Sequence, residues 1–417
     1  MVNDGRDNSY THLGENGHPS PWLEKQQSGN RKSKILLVGA LVGIVAIIAI
    51  GVGVGVSLSN KNRTKSSGNT PNNNGTSGDN TTTPVQQENP NDPSTFKKDS
   101  RLKQSFYGLA YSPNGVIYPD CGAKLPDVIT DIQLMSQLTK RIRLYGSDCD
   151  LSHLVMEAIK QTKVDMKVTL GIYVSPDGDY TAYDRQKVAI TDVLKKYGTD
   201  HVAGITVGNE EQNLTRDYSP RAIFFHYLND HGGTDANGAV GNQGADLLIV
   251  NITDTRNLLK GLELSIPVGN SDAGSYFNTK VLQAVDYGMA NVHPWFANTT
   301  VQNGPQWTWD FFEQTDVAAA NALSNKPEMS IAEVGWPTAS KDAGNANNGA
   351  SPASEENLQY FIDNFVCQSN QKGIKYFFFE FFDEKWKDDT FGGVEGHWGL
   401  FYQNKTLKGI TIPNCPI

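Results

Sequence analysis

The sequence contains no dense block of lysine and arginine. Its 417 residues carry 36 basic and 45 acidic side chains, which gives a net charge of −9, and the basic residues are scattered along the chain. Proteins that bind nucleic acid usually concentrate positive charge on one surface, so we expect no nucleic-acid partner. A neutral polymer is compatible with this charge, although the charge alone does not identify one.

Charge is also absent between Ile35 and Ser59. These 25 residues are rich in Ile, Val, Leu and Gly. As a helix they are long enough to cross a hydrocarbon core about 30 Å thick, and they are too long for the apolar part of a signal peptide. A buried core helix is the alternative interpretation. We predict a transmembrane anchor at 35–59, with the lipid bilayer as a partner, after a disordered cytoplasmic tail at 1–34.

Seven Asn-x-Ser/Thr sequons follow the predicted anchor, and none precedes it. Four basic residues precede the anchor closely and three follow it, so the positive-inside rule does not decide the orientation clearly. Because Asn-linked glycans lie outside the cytosol, the distribution of sequons favours a single-pass type II cell-membrane protein with an extracellular C-terminal domain. The candidate glycosylation sites are Asn62, Asn74, Asn80, Asn213, Asn251, Asn298 and Asn404.

Large apolar residues are nearly absent from residues 60–99, which consist mainly of Asn, Thr, Ser, Gly and Pro. Such a segment buries too little surface to offset its ordering entropy, so we predict a flexible, glycosylated stalk. Residues 100–417 have a mixed composition, and their length suits one large α/β domain.

The four cysteines, all in the predicted extracellular domain, are Cys121, Cys149, Cys367 and Cys415. None has the short C-x-x-C spacing of a zinc site, and we expect no metal site. An even number of cysteines in an oxidising compartment is typical of two disulfides, for which three connectivities are possible. We favour Cys121–Cys149 and Cys367–Cys415, because each pair is close in the order of predicted elements.

From Phe106 onward, short apolar runs alternate with helix-like stretches, and several runs are continuous in Val, Ile, Phe and Tyr, as in buried parallel strands. Eight runs with intervening helices predict an α/β fold, the (β/α)8 TIM barrel. The rival is an open doubly wound sheet, which usually carries a G-x-G-x-x-G loop that this sequence lacks. The predicted strands are 107–111, 141–145, 167–173, 202–207, 267–270, 289–293, 329–333 and 376–381.

Two glutamates lie at the ends of predicted strands. Asn209 and Glu210 follow the fourth strand, and Glu333 ends the seventh. Catalytic groups of barrels lie at the carboxyl ends of the strands, so these carboxylates are expected to face each other across the mouth. One carboxyl group that protonates a leaving oxygen and another that attacks or activates water are what cleavage of a glycosidic bond requires. The residues alone do not say which glutamate has which role.

The segments around both glutamates resemble the two signatures of glycoside hydrolase family 17, the 1,3-β-glucanases. The matching motifs are Val207-Gly208-Asn209-Glu210 and Glu333-Val334-Gly335-Trp336-Pro337, where Val334 replaces the usual Thr or Ser. The resemblance continues in order through 143–145, 291–294, 382–387 and 395–401, and it covers nearly all of residues 106–403. The tail, anchor and stalk resemble the fungal type II membrane-bound branch of that family.

The resemblance implies a retaining (β/α)8 enzyme that hydrolyses 1,3-β-glucan, a reaction that requires no cofactor. Remodelling of the cell wall is a further hypothesis, because the predicted anchor holds the domain beside the glucan layer. It implies that Glu210 is the proton donor and base and that Glu333 is the nucleophile, with the two carboxyl groups about 5–5.5 Å apart. It also places Tyr145, Glu384, Lys387 and Glu395 around the cleaved sugar. Glu384 and Glu395 could instead be only ion-pair partners of Lys387.

Three further residues are candidates for contacts with the sugar on chemical grounds. Asn209 offers a donor for the sugar 2-hydroxyl, and Trp336 and Trp386 are predicted to stack on sugar rings in the cleft. We interpret His293, at the end of the sixth strand, as a hydrogen-bonded structural residue rather than a base.

Two other functions stay open at this point. A glucanosyltransferase would use a sugar hydroxyl instead of water as the acceptor, and the sequence does not distinguish these acceptors. A cell-surface protein that only binds wall glucan would need neither Glu210 nor Glu333, and the presence of both argues against it.

Overall fold

The computed structural model of the protein describes residues 85–175, 179–209, 235–415 and 417. The predicted tail and anchor, most of the predicted stalk, and the residues Glu210 and Asn213 lie outside these ranges. In the described ranges, no helix has the length and apolar character needed to cross a membrane.

Eight parallel strands form a closed barrel in which each strand pairs with the next and β1 pairs with β8. The predicted fold class, a (β/α)8 barrel, is therefore confirmed. The strands are β1 (Gly108–Ala110), β2 (Arg141–Arg143), β3 (Lys167–Ile172), β4 (Val202–Val207), β5 (Val268–Ala273), β6 (Tyr287–Asn291), β7 (Glu328–Val334) and β8 (Tyr376–Phe378).

Helices follow the strands and pack outside the barrel. In the described ranges they are α1 (Leu125–Met135), α2 (Leu151–Thr162), α3 (Thr181–Tyr197), α4 (Ala239–Gly261), α5 (Thr279–Ala284), α6 (Gly304–Phe311), α7 (Ala318–Asn321), α8 (Glu355–Lys372) and α9 (Lys385–Thr390). A π-helical turn, Phe312–Val317, separates α6 from α7. Apolar periodicity in the sequence does not reveal such a local widening of the helix.

The apolar core forms where the helices pack on the strands. Its side chains include fully buried residues of the strands and of the inward helix faces, such as Ile331 and Phe365. A separate buried cluster joins Met289, Ala332 and Phe377 from the adjacent strands β6, β7 and β8. Gly108 lies beside this cluster. A Cβ atom at this position would be only 2.5 Å from the Phe377 ring, so glycine leaves the space that the ring fills.

The first part of the described chain packs on the barrel, which corrects the predicted stalk. Val85 is 8% exposed, and Gln87 donates to Gln133 of α1 at 2.8 Å. The backbone N–H of Asp99 donates to the Gln137 side chain at 2.7 Å. A stalk boundary at 99 is therefore wrong. Residues 85–99 have few apolar side chains, but hydrogen bonds from their polar groups hold them on the barrel.

Both favoured disulfides are present. Cys121 bonds to Cys149 with 4.7 Å between Cα atoms, and Cys367 bonds to Cys415 with 5.6 Å between Cα atoms. The first ties the loop after β1 to the loop after β2, and the second ties α8 to the C-terminal segment. The predicted connectivity is thus confirmed.

The structure separates the sequons by exposure. Asn298 and Asn404 are exposed, as a glycan-bearing side chain must be. Asn251 lies inside α4, is 3% exposed, and donates to the carbonyl of Leu247 at 3.4 Å. The prediction of a glycan at Asn251 is wrong for the folded domain, because a glycan cannot be accommodated on a buried helical side chain.

Candidate active site

Glu333 is a buried carboxylate near the carboxyl end of β7. Its Oε1 atom accepts from Arg143 Nη1 at 2.9 Å, and its Oε2 atom accepts from His293 Nε2 at 3.1 Å. Burial on its own raises the pKa of Glu333, but the hydrogen bond from His293 and the charge of Arg143 outweigh it and lower the pKa to about 2. Glu333 is therefore ionised at any ordinary pH.

The guanidinium of Arg143, at the end of β2, connects four strands around the barrel mouth. Besides Glu333 it donates to the Ala332 carbonyl at 3.2 Å, to Ser271 Oγ of β5 at 2.9 Å, and to the Asn209 side-chain oxygen after β4. Arg143 is 1% exposed. Such a planar group with fixed donors holds its acceptors in one geometry, so Arg143 orients the carboxylate.

His293 holds the second oxygen of Glu333. An ionised carboxylate only accepts hydrogen bonds, so the Nε2 atom of His293 carries the proton. The imidazole packs edge-on against Trp398 and Phe379, with ring centroids 4.9 and 5.4 Å away. These contacts support the interpretation of His293 as a hydrogen-bonded structural residue, and they show that its partner is Glu333.

Tyr145 lies beside the same charged group. The Arg143 guanidinium is 4.5 Å from the centroid of the Tyr145 ring. Burial raises the pKa of Tyr145 well above its ordinary value, and the negative charge of Glu333 adds to this rise. The Tyr145 hydroxyl is buried and lies beside the Glu333 carboxylate, so it is placed to contact a ligand that reaches Glu333.

Asn209 shares Arg143 with Glu333, which brings the residue before Glu210 into the site. Glu210 itself lies outside the described residues. The predicted separation of about 5–5.5 Å between the carboxyl groups of Glu210 and Glu333 therefore stays a prediction.

A second buried cluster of charged residues follows β8. Lys387 Nζ lies 2.7 Å from Glu380 Oε2 and also pairs with Glu384, and all three side chains are at most 5% exposed. Burial raises the pKa of Glu380 well above its ordinary value, and the charge of Glu384 adds to the rise. Burial alone would lower the pKa of Lys387, but the two carboxylates raise it. The predicted pair of Glu384 and Lys387 is thus brought together.

Sequence reasoning did not select Glu380, Arg143 or Ser271 as site residues. Glu380 stands within the apolar run predicted as the eighth strand, and this is the same signal that pointed to Glu333. Arg143 lies in a segment that carries the family resemblance, but its role as the common partner of Glu333 and Asn209 depends on how distant strands meet. Ser271 carries no sequence signal that we can identify.

The two tryptophans predicted to stack on sugar rings differ in burial. Trp336 is 0% exposed, packs edge-on against Trp295 with 5.4 Å between centroids, and donates to the Pro352 carbonyl at 3.1 Å. Trp336 is therefore a core residue, and the prediction that it stacks on a sugar is wrong. Trp386 is half-buried beside Phe391 and keeps part of its surface accessible.

Glu395, another predicted site residue, is half-buried on the loop after α9.

In the part of the chain that the structure describes, no group of three or more His, Cys, Asp and Glu side chains is placed to hold a metal ion.

Comparison with known proteins identifies the domain. Residues 108–399 match the family model of the BtgE/BtgC glycoside hydrolase domain. A putative glucan endo-1,3-beta-glucosidase btgC of Aspergillus niger is 34% identical over 333 residues, which cover 76% of this chain and 45% of that protein. A probable glucan endo-1,3-beta-glucosidase btgC of Aspergillus oryzae is 32% identical over 419 residues, covering 96% of this chain and 56% of that protein. The chain thus spans about half the length of the curated relatives it matches.

Solved structures show the same fold at low identity. A glycoside hydrolase family 17 beta-1,3-glucanosyltransferase from Rhizomucor miehei superposes with a TM-score of 0.57 at 24% identity, covering 75% of this chain and 99% of that one. An endo-laminarinase from Formosa has a TM-score of 0.55 at 16% identity, covering 75% of this chain and 92% of that one. Since the family model matches more than half of its residues, the chain belongs to the BtgE/BtgC glycoside hydrolase family.

Proposed function

We propose that the protein hydrolyses 1,3-β-D-glucosidic linkages within 1,3-β-glucan by a retaining double displacement. The main support for this proposal is the ionised carboxylate of Glu333, which is buried at the mouth of the barrel and held by Arg143 and His293. The barrel belongs to the BtgE/BtgC glycoside hydrolase family. The names of the related proteins, glucan endo-1,3-beta-glucosidases, support this choice of substrate and reaction.

In the first step, Glu333 attacks the anomeric carbon while the bond from that carbon to the departing sugar oxygen breaks. Glu210 gives its proton to that oxygen, and a covalent glycosyl ester forms on Glu333. Among the described residues, Arg143 donates to one Glu333 oxygen and His293 to the other, and a carboxylate oxygen has two lone pairs, so neither bond prevents attack by Glu333. A pKa of about 2 keeps the nucleophile ionised while the acid, Glu210, is protonated.

In the second step, Glu210 takes a proton from water, the water oxygen attacks the anomeric carbon, and the ester bond to Glu333 breaks. The carboxylate returns to Arg143 and His293 in its starting state. A sugar hydroxyl in place of water would give chain transfer instead. The two solved structures of similar fold are a glucanosyltransferase and an endo-laminarinase, so product analysis has to separate these outcomes.

Around the cleaved sugar we propose contacts from side chains at the same mouth. Tyr145 supplies a buried hydroxyl beside Glu333. Asn209, whose side-chain oxygen accepts from Arg143, is proposed to donate to the sugar 2-hydroxyl. The remaining proposed contacts are Glu384, Trp386, Lys387 and Glu395.

We also propose that the chain is a single-pass type II cell-membrane protein whose barrel faces the cell wall. Support comes from the uncharged run 35–59 and from the sequons, which all follow it. An anchor there would keep the enzyme beside the glucan that it remodels. Replacing 35–59 by a cleavable signal peptide and finding the protein still membrane-bound would contradict the anchor.

The activity is tested with the full chain on laminarihexaose, with chromatography of the products. Glu333→Gln should abolish product formation, whereas Glu328→Gln should keep it. Glu328 is a matched control because it lies on the same strand but at its exposed beginning, paired with Lys375. Products shorter than the substrate support hydrolysis, and products longer than the substrate favour transfer. Equal activity of Glu333→Gln and Glu328→Gln would contradict the proposal.

A further inference from the structure

Tyr118 is an exposed aromatic residue on the loop between β1 and α1. The residue is 48% exposed. Loops that follow barrel strands lie at the mouth, so Tyr118 is on the same face of the barrel as Glu333. The Arg185 guanidinium lies 4.1 Å from the centroid of its ring. Because a guanidinium covers only one face of a ring, the exposed surface is on the other face and the edge.

Arg185, at the start of the second turn of α3, is itself fixed. Its Nε and Nη2 atoms donate to the two oxygens of Asp148 at 2.5 and 2.7 Å. A two-point pair of this kind sets the plane of the guanidinium as well as its position. The ring of Tyr118 therefore rests on a support with a defined orientation.

The loops that carry these residues are tied together. Cys121, three residues after Tyr118, is bonded to Cys149, the neighbour of Asp148. Gln186, next to Arg185, is buried, and its side-chain oxygen accepts from the backbone N–H groups of Ser147 and Tyr173 at 2.8 and 3.0 Å. The rim formed after β1, β2 and β3 is thus cross-linked by one disulfide and several polar contacts.

This rim adjoins the candidate active site. Asp148 is three residues after Tyr145, and because successive Cα atoms are about 3.8 Å apart, their Cα atoms are separated by at most about 11 Å. Glu333 extends from β7, on another part of the ring of strands. A polymer that lies across the mouth and reaches Glu333 can therefore also pass over the rim on the side of β1 to β3.

We propose that Tyr118, supported by Arg185, is a stacking platform for a glucose unit of a bound 1,3-β-glucan chain, away from the bond that is cleaved. The inference rests on the proposed function and deepens it. The apolar C–H face of a glucose ring fits an open tyrosine face, and a ring that is already oriented loses little conformational freedom on binding. A platform away from the cleaved bond strengthens the binding of long chains and leaves the binding of the shortest substrates unaffected.

Binding is measured by calorimetry in the Glu333→Gln background, so that no substrate is consumed. Tyr118→Ala should weaken laminarihexaose binding about three- to tenfold and leave laminaribiose binding within about twofold. Tyr118→Phe should keep hexaose binding, because stacking needs the ring and not the hydroxyl. Tyr360→Ala is the matched control, since Tyr360 is 37% exposed but lies on α8, away from the loops of this rim.

A second measurement needs no Tyr118 variant. Nitration of tyrosines in the Glu333→Gln chain, mapped by mass spectrometry, should be reduced by laminarihexaose at Tyr118 and unchanged at Tyr360. An unchanged hexaose affinity in Tyr118→Ala, an equal loss for biose and hexaose, or no protection of Tyr118 would overturn the inference alone if the unmodified chain still cleaves hexaose. A chain that neither binds nor cleaves hexaose would overturn the inference together with the proposed function.

Discussion

Arg143 and Glu333 form an ion pair across the barrel mouth, with 2.9 Å between Nη1 and Oε1 and with side chains that are 1% and 8% exposed. The pair joins β2 to β7, which are not neighbours in the barrel. A buried pair depends on bonds to its remaining donors, and here Arg143 Nη1 also bonds to Ala332 and Nη2 bonds to Ser271 and Asn209. The Nε atom of Arg143 has no hydrogen-bond partner among the described residues. The contacts of Nη1 and Nη2 therefore orient the carboxylate of Glu333.

Replacing Arg143 with methionine should lower kcat/KM by about 10²- to 10³-fold, because the carboxylate loses its charged partner and its orientation. The pKa of Glu333 should rise, so the acid limb of the pH profile of kcat/KM should move to higher pH. Arg141→Met is the control, since Arg141 lies on the same strand but stacks on Tyr107 at 4.3 Å. A normal acid limb in Arg143→Met would contradict this role.

Replacing His293 with phenylalanine should reduce kcat/KM by about 10- to 100-fold, the range for losing a hydrogen bond to a charged group. His293→Gln keeps a donor and should lose less. His201→Gln serves as the control, because the His201 ring bonds to the Met166 carbonyl, at 2.8 Å, just before the start of β4. If the phenylalanine and glutamine variants lost activity equally, the hydrogen bond to Glu333 would not be the cause.

Removing the charge of Lys387 should destabilise the domain, because Glu380 and Glu384 would be left buried without a cation. We expect Lys387→Met to lose about 3–5 kcal/mol of unfolding free energy, measured by denaturant titration. Lys385→Met, an exposed change on the same helix, should stay within about 0.5 kcal/mol. Comparable stabilities of the two variants would mean that the cluster contributes nothing to the fold.

Asp316 provides a pH-dependent test of the fold. It lies in the π-helical turn, is 1% exposed, and neither carboxylate oxygen has a hydrogen-bond partner among the described residues. Burial raises its pKa to about 8, above the ordinary 3.8. The folded state therefore holds a proton that the unfolded state releases, so this residue lowers stability as pH rises from about 4 to 8.

Asp316→Asn removes that titration. Its Tm should match the parent chain at pH 4 and exceed it by at least about 3 °C at pH 8, measured by calorimetry. Asp310→Asn, an exposed change in the preceding helix, should show no such divergence. A constant Tm difference across this pH range would mean that Asp316 does not carry a raised pKa.

Much of the barrel could be predicted because its strands are buried on both faces. The fourth predicted strand has the observed bounds, Val202–Val207, since all its residues are apolar or small. β5 continues to Ala273, beyond the predicted 270, because Ser271 is polar and its bond to Arg143 is invisible in the sequence. Strand ends that carry polar groups toward the mouth are therefore where apolar patterns stop being informative.

The site could be predicted only where a residue type is unusual for its position. Glu333 stood out as a carboxylate in an apolar strand, but its two partners come from β2 and from the loop after β6. Trp336 was misplaced because its burial depends on Trp295 and Phe361, which are distant in the chain. Sequence position near a catalytic residue does not reveal which way a side chain points.

Proton NMR of the first products released from laminarihexaose shows whether Glu333 acts as the nucleophile of a retaining enzyme. The new reducing ends should appear first as the β-anomer and only then equilibrate, because two displacements at one carbon restore its configuration. Initial release of the α-anomer would show a single displacement by water and would contradict the account.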